Sequence, residues 1–229
     1  MDISVVIPTL NEAAGAPPIV ARLKTLFSEN DISNEILIVD GGSSDGTQEL
    51  ARAAGAQVLH CPQLGYGPAF RQGVQAARGD FLLTMDGDGS HPPELAADFW
   101  RQRDDADIVI GSRYVPGGSA LMPFYRLTLS RLLNALTRIF YGFPVRDASG
   151  GMRIYKSSFL KSIPTSAQDF SIQQEILARA LSSGAKVKEI PLQFLPRAGG
   201  CSKASALGLG VSYLKLFFRI KSGALKSPP

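Results

Sequence analysis

Short apolar runs and longer mixed segments alternate along the first half of the chain. Residues 3–7 are mostly apolar and β-branched, and they run into Pro8-Thr9-Leu10-Asn11-Glu12. Pro17 and Pro18 suit the first turn of a helix that the pattern carries to about Ser28. Residues 35–39 make a second apolar run, ending in Asp40-Gly41-Gly42-Ser43-Ser44-Asp45-Gly46-Thr47; a short helix over 47–54 follows, closed by Gly55. Residues 57–60 predict a brief strand, 65–77 a glycine-opened loop leading into a helix, and 81–84 another buried strand. A helix over about 93–103 and a strand over 107–110 follow, the strand delivering Gly111-Ser112-Arg113-Tyr114. Strands that are apolar almost throughout are buried on both faces. Their alternation with helices predicts an α/β fold with a mostly parallel, doubly wound sheet.

The second half is patterned differently. Residues 122–141 are helix-like, with Leu127, Leu132, Leu133, Leu136, Ile139 and Phe140 interspersed with Arg126, Arg131 and Arg138. A helix is expected over 170–181, and 187–195 alternates as a strand whose Pro191 argues for a sheet edge. The tail over 204–221 sets leucines and aromatics beside Lys215, Arg219 and Lys221. Helices of this kind either pack on a sheet or lie in a membrane interface with the apolar face in lipid, and the pattern supports both equally. No repeat or linker divides the chain, so one domain over 1–203 and a basic amphipathic tail over 204–229 are expected.

Composition sharpens this in two ways. At 45% hydrophobic and 19% charged, the 229 residues are globular, neither disordered nor fibrous. The net charge of +4 hides a division: residues 1–112 carry seven Lys/Arg against sixteen Asp/Glu, and 113–229 carry seventeen against four. That polarity points to an anionic partner for the second half. The basic residues accompany aliphatic helices rather than a nucleic-acid-binding module, which argues against nucleic acid. Cys61 and Cys201 supply neither a disulfide framework nor metal-ligand spacing and are expected to be reduced thiols. No stretch approaches about 18 uninterrupted apolar residues, and Asp2 precedes a brief strand rather than a leader. A cytoplasmic location is expected.

The strand over 81–84 empties into Met85-Asp86-Gly87-Asp88-Gly89-Ser90-His91-Pro92-Pro93. Two acids one residue apart at the carboxyl end of a parallel strand lie where open α/β sheets bind ligands. Hard carboxylate oxygens suit Mg²⁺ or Mn²⁺, which leave positions for phosphates. An Asp-Gly turn that merely caps the strand is the plainer alternative.

With five further motifs, the chain resembles GT-A glycosyltransferases of the large inverting family 2, in particular the polyprenyl-phosphate (dolichol-phosphate) mannosyltransferase branch. The motifs are VVIPTLNE (5–12), VDGGSSDGT (39–47), MDGDGSHPPE (85–94), GSRYVPGG (111–118), DASGGMRIY (147–155) and RAGGCSK (197–203), in the family's order. The resemblance implies a nucleotide-sugar donor, with Asp86 and Asp88, and Ser90 as third ligand, holding Mg²⁺ or Mn²⁺ against its diphosphate. Pro8, Leu10, Glu12, Val39, Asp40 and Gly41 would frame the nucleoside, and Gly87 belongs to the same nucleotide-sugar site. Arg113, Arg197 and Lys203 would reach the phosphates, and Arg113, Arg126 and Ser130 the acceptor phosphate. Arg126 and Ser130, four residues apart, share a helix face. The implied acceptor is a polyprenyl phosphate at a membrane surface, reached by a peripheral enzyme on the cytosolic leaflet, with room for a membrane-anchoring partner protein. Asp147 and Glu175 are the candidate bases if the acceptor is instead a hydroxyl.

Close members carry Tyr where Leu10 stands and Asp where Gly41 stands. The resemblance implies GDP-mannose as the donor, and the departures at Leu10 and Gly41 make a UDP-sugar the alternative. Two other functions fit parts of the pattern. Asp86 and Asp88 resemble the nucleophile loop of haloacid-dehalogenase-type phosphatases, but that loop lies on a first strand and leaves five motifs unexplained. A nucleotide-sugar or lipid-binding module without turnover would have little reason to keep both acids and the basic residues.

Overall fold

The computed structural model describes residues 1–63 and 65–199. In chain order the strands are β1 (Ile3–Thr9), β2 (Asn34–Asp40), β3 (Gln57–His60), β4 (Phe81–Thr84), β5 (Ile108–Ser112), β6 (Ser119–Ala120), β7 (Arg153–Lys156), β8 (Val187–Pro191) and β9 (Gln193–Phe194). The helices are α1 (Ala16–Glu29), α2 (Thr47–Ala53), α3 (Tyr66–Ala76), α4 (Leu95–Arg101), α5 (Phe124–Tyr141), α6 (Ser157–Ser162) and α7 (Ile172–Ser182). Seven strands form one sheet in the order β3-β2-β1-β4-β7-β5-β8, and β6 and β9 form a small second sheet. The chain is thus the α/β, mostly parallel sheet that its pattern predicts.

Successive strand residues face opposite sides of a sheet, so a strand covered on both sides must be apolar at nearly every position. Val5, Ile7, Ile36, Ile38 and Leu83 face α1, where Ile19, Val20, Leu23 and Phe27 cover them. Val6, Leu37, Val39 and Leu82 face the other way, onto Phe70 and Val74 of α3 and Ile172 and Ile176 of α7. Parallel register brings Thr9 opposite Asp40 and Val6 opposite Thr84. The loops after β1, β2 and β4 therefore emerge side by side at one edge.

Two features depart from the expectation, and a third bears on an alternative left open. β7 was not predicted; it runs antiparallel to both β4 and β5 in the middle of the sheet. The expected strand over 187–195 divides at Leu192, whose amide donates to Ser112 O at 2.9 Å and whose carbonyl accepts from Ser119 N at 3.0 Å. The chain passes there from the large sheet to the small one. Pro191 lies on β8, the outermost strand, as its missing donor requires. On α5, Asn134 and Thr137 are buried, while Leu132 (54% exposed), Ile139 (74%) and Phe140 (56%) lie outward. Among the described residues no helix is long and apolar enough to cross a membrane. Cys201, Lys203 and the expected tail over 204–229 fall outside the described residues.

At the opposite edge one polar position interrupts β1. The Ser4 hydroxyl donates to Glu35 Oε1 at 2.6 Å and accepts from Gly79 N at 2.7 Å. Arg78 donates to Glu35 Oε2 through Nε (3.0 Å) and Nη2 (2.8 Å). Burial acts to raise the Glu35 pKa, but Ser4 and Arg78 outweigh it and hold the carboxyl below its ordinary 4.5. A depressed folded value means the stabilisation is complete above the ordinary value and is lost as pH falls through the folded one. Glu35→Gln should cost about 2–4 kcal/mol at pH 7, because it strands half of this network. It should also flatten the decline in stability below pH 4.5. Denaturant unfolding across pH measures both; an unchanged acid slope would refute the assignment.

Candidate active site

The loops after β1 and β2 are knitted together before any ligand arrives. Asn11 takes a left-handed φ of 52°, a conformation Asn tolerates. Its amide donates to Ser43 Oγ at 2.7 Å, and its side-chain oxygen accepts from Ser44 N at 2.9 Å. Glu12 N donates to Thr47 Oγ1 at 2.9 Å and Ala13 N to Asp45 Oδ2 at 3.0 Å. Asp40 is the pin of this arrangement. Its Oδ1 accepts from Gly42 N (3.0 Å), Ser43 N (2.8 Å) and Gln48 Nε2 (2.8 Å), and its Oδ2 from the Ser43 hydroxyl. Burial pushes its pKa up, yet the donors around it prevail and keep the carboxylate ionised. Asp40 thus shapes the cradle in which Pro8, Leu10, Glu12 and Gly41 stand. Val39 is buried beneath, and Leu10 is exposed.

The two acids after β4 lie beside this cradle in unlike surroundings. Asp88 is buried, its Oδ1 accepting from Ser90 N (2.9 Å) and Ser90 Oγ (2.5 Å). Its Oδ2 pairs with Arg197 Nη2 at 3.0 Å, and Arg197 Nη1 stands 4.0 Å from Glu12 Oε1. Arg197 is delivered by backbone bonds: Ala198 N donates to Asp88 O and Leu195 N to Ser90 O, both at 2.9 Å. Asp86 N donates to His91 Nδ1 at 3.0 Å, and His91 Nε2 lies 3.9 Å from Asp86 Oδ2. Asp86 Oδ1 is enclosed and has no hydrogen-bond partner among the described residues. Burial, with the neighbouring Asp88 charge, raises the Asp86 pKa against the pull of His91, Arg197 and Arg113. Gly87 between them is required by space: a Cβ there would stand 2.7 Å from Thr9 Cγ2.

Hard oxygens from two adjacent acids, one of them enclosed and unpartnered, fit a divalent cation. Asp86 and Asp88 are the residues that would hold it. Ser90 aims the Asp88 carboxylate.

Arg113, at the end of β5, is clamped by Asp147. Its Nε and Nη2 reach the two carboxylate oxygens at 2.7 and 2.8 Å, and Nη2 also donates to Ser149 Oγ at 2.7 Å. Asn134 of α5 donates to the same Ser149 at 3.0 Å. Burial raises the Asp147 pKa, but the Arg113 guanidinium more than offsets this and holds the group below its ordinary value. Asp147 is thus an anchor for Arg113, because a base needs a pKa near the working pH. Glu175, also buried, accepts from Ser166 N (3.0 Å) and Ala167 N (2.8 Å) and holds that loop. Ser130 accepts from Tyr114 OH at 2.7 Å on the face of α5 that carries Arg126.

Sequence reasoning passed over His91, Tyr114, Ser149, Asn134 and Arg153. Arg153 is fully buried and donates to Gly150 O, Ala148 O and Gln173 O at 2.7, 2.7 and 2.9 Å, fixing the 148–150 turn behind Asp147. The signal was present, since each except Asn134 lies within a quoted motif.

Residues 4–163 match the model of glycosyl transferase family 2. The chain belongs to that family. This glycosyltransferase is 36% identical to the polyprenol monophosphomannose synthase of Mycolicibacterium smegmatis, over 93% of this chain and 84% of that protein. It is 34% identical to the undecaprenyl-phosphate mannosyltransferase of Micrococcus luteus, over 90% and 88% of the two chains. Among solved structures, mannosyl-3-phosphoglycerate synthase from Rubrobacter xylanophilus superposes with a TM-score of 0.78 at 20% identity, covering 100% of this chain and 77% of that one. Glucosyl-3-phosphoglycerate synthase from Mycobacterium tuberculosis, in complex with Mn²⁺, UDP-glucose and phosphoglyceric acid, gives 0.74 at 20% identity, covering 99% and 81%. The two structures establish the GT-A fold.

Asp88→Ala in this glycosyltransferase should lower transfer by about 10²–10³-fold or more, the scale for losing one preorganised electrostatic contact. Far-UV circular dichroism should be unchanged. Retained transfer with a folded variant would remove Asp88 from the site.

Proposed function

We propose that the enzyme transfers mannose, with inversion, from GDP-mannose to a polyprenyl phosphate at a membrane surface. The observation that carries this reading is α5, which turns Leu132, Leu136, Ile139 and Phe140 outward on the same helix as Arg126 and Ser130. An apolar stripe and a phosphate-binding pair on one helix suit an acceptor that is both lipid and phosphate. The names of the two curated relatives support the same acceptor and sugar.

The chemistry follows from the acceptor. A phosphate monoester has a second pKa of about 6 and needs no base at neutral pH. Its oxygen attacks the anomeric carbon, the bond from that carbon to the diphosphate oxygen breaks, and the nucleoside diphosphate leaves with the electron pair. Mg²⁺ or Mn²⁺ held by Asp86 and Asp88 would neutralise charge on the departing diphosphate. Arg113, fixed by Asp147, and Arg197, between Glu12 and Asp88, supply positive charge from the protein itself. Lys203 is assigned to the same phosphates by its motif. Arg126 and Ser130 receive the acceptor phosphate, Arg126 making no ion pair with any described residue. The enzyme works as a peripheral protein on the cytosolic leaflet.

One observation favours a second donor. A Cβ on Gly41 would meet only Thr9 O at 3.6 Å and Leu10 Cδ1 at 4.0 Å. The cradle therefore has open space where close family members carry a carboxylate, and a UDP-sugar is the alternative. Thermal-shift screening of GDP, UDP and their sugar conjugates with and without Mn²⁺ decides this. A specific ligand at about a hundred times its Kd stabilises by about 2.7 kcal/mol. GDP-mannose with Mn²⁺ should give the largest shift, and a larger one with UDP-glucose would transfer the assignment.

Arg126→Ala should raise the KM for undecaprenyl phosphate about tenfold or more, the loss of one charge-assisted contact, and leave the donor KM within about twofold. The reverse pattern would overturn the acceptor assignment.

A further inference from the structure

Beside the site just described, α5 lines a second recess. Tyr114, Arg131, Asn134, Ala135, Arg138 and Arg146 line an open recess of about 320 Å³. Arg131, Asn134, Ala135 and Arg138 are spaced three, four and seven apart and so share one helix face. Arg146 comes from the loop after α5. At 3.6 residues per turn, Arg126 lies about 140° around the helix from Arg131, whereas Arg138 lies about 20° from it. Arg126 and this group therefore lie on different flanks of the helix, and Tyr114, whose hydroxyl donates to Ser130, adjoins both.

The cavity is electrically one-sided. Arg131, Arg138 and Arg146 are exposed and make no ion pair with any described residue. Glu189, the acid bonded to the 146–147 segment, spends both oxygens on backbone amides, those of Arg146 (2.8 Å) and Asp147 (2.9 Å). It shapes the Arg146 loop and leaves the guanidinium free of it. The Arg131 guanidinium lies 5.8 Å from the centre of the Tyr114 ring, which gives the recess a wall. Three guanidinium forks around one cavity match the oxygens of a phosphate group. Next around the helix come Leu132, Leu136 and Ile139, all outward.

We infer that this cavity is a second phosphate-binding site, distinct from the acceptor site, which takes the headgroup phosphate of an anionic phospholipid. The adjoining apolar stripe supplies the reason for a lipid rather than a soluble phosphate, and to that extent the inference rests on the membrane-surface reading above. Its role is to orient α5 on the bilayer, so that the Arg126 flank meets the acceptor.

The test is sedimentation of the full chain with vesicles of phosphatidylcholine alone and of phosphatidylcholine mixed with phosphatidylglycerol, at fixed salt. Arg138→Ala/Arg146→Ala should lose about tenfold or more in partition onto the mixed vesicles, given the contribution of each basic residue near an anionic surface. Arg52→Ala/Lys156→Ala, which removes equal charge elsewhere, should lose less than about twofold. Arg138→Lys/Arg146→Lys should also weaken binding, because an ammonium cannot replace a planar fork. Equal losses from the two alanine pairs, or full partition by the first, would overturn the site. Inorganic phosphate provides the second arm. If it raises the Tm of the wild type but not of Arg138→Ala/Arg146→Ala, and vesicle partition is unaffected, the site holds a soluble phosphate and the lipid source is overturned. Transfer to a short-chain acceptor in detergent separates this inference from the transfer reaction: the first double variant should stay within about twofold of wild type. A wild type without transfer would sink the reaction and leave the partition result standing.

Discussion

Two carboxylates one residue apart repel each other, and the carboxyl edge of this sheet is organised around holding them. Asp88 is balanced by Arg197 and two donors from Ser90; Asp86 has the His91 ring near one oxygen, and its other oxygen has no hydrogen-bond partner among the described residues. An enclosed, unpartnered carboxylate oxygen costs stability. It persists because the strand end, the Gly87 contact with β1 and the backbone bonds from the 195–198 segment leave the loop no other course. Stability given up at one atom becomes a preformed place for positive charge, which is how electrostatic catalysis is preorganised.

The parallel part of the fold was legible for a simple reason. β1, β2 and β4 are covered on both faces, so their residues are apolar almost without interruption, and the turns after them are rich in Gly, Asp and Ser. β7 offered no such sign. It is four residues long, begins with a charged residue, and owes its direction to the neighbours it separates. Arg153 looks like a loop residue in a sequence; three carbonyls brought together by the fold make it a buried one.

The site was legible by position and less so by role. Asp86, Asp88 and Arg197 do converge. Asp40 and Asp147 also stand where the motifs put them, but their oxygens are filled by the protein's own donors. A sequence displays a carboxylate without displaying the amides and guanidinium that surround it. Hence a residue expected to frame the nucleoside shapes the cradle, and a candidate base holds an arginine.

The acids of the second half bear on what the acceptor can be. Only four occur between 113 and 229, Asp147, Asp169, Glu175 and Glu189, and each is engaged. Asp147 clamps Arg113, Asp169 receives Ser171 N at 2.9 Å, Glu175 anchors the 166–167 loop, and Glu189 holds the 146–147 amides. A hydroxyl acceptor entering from this side would meet arginines and four carboxylates already committed to other partners, none of them ready to take its proton. An ionised phosphate needs none, and it is stabilised by the excess of positive charge that left those acids occupied. The strong charge division of the sequence and the engagement of these four acids are therefore one property, and it suits the proposed anionic acceptor.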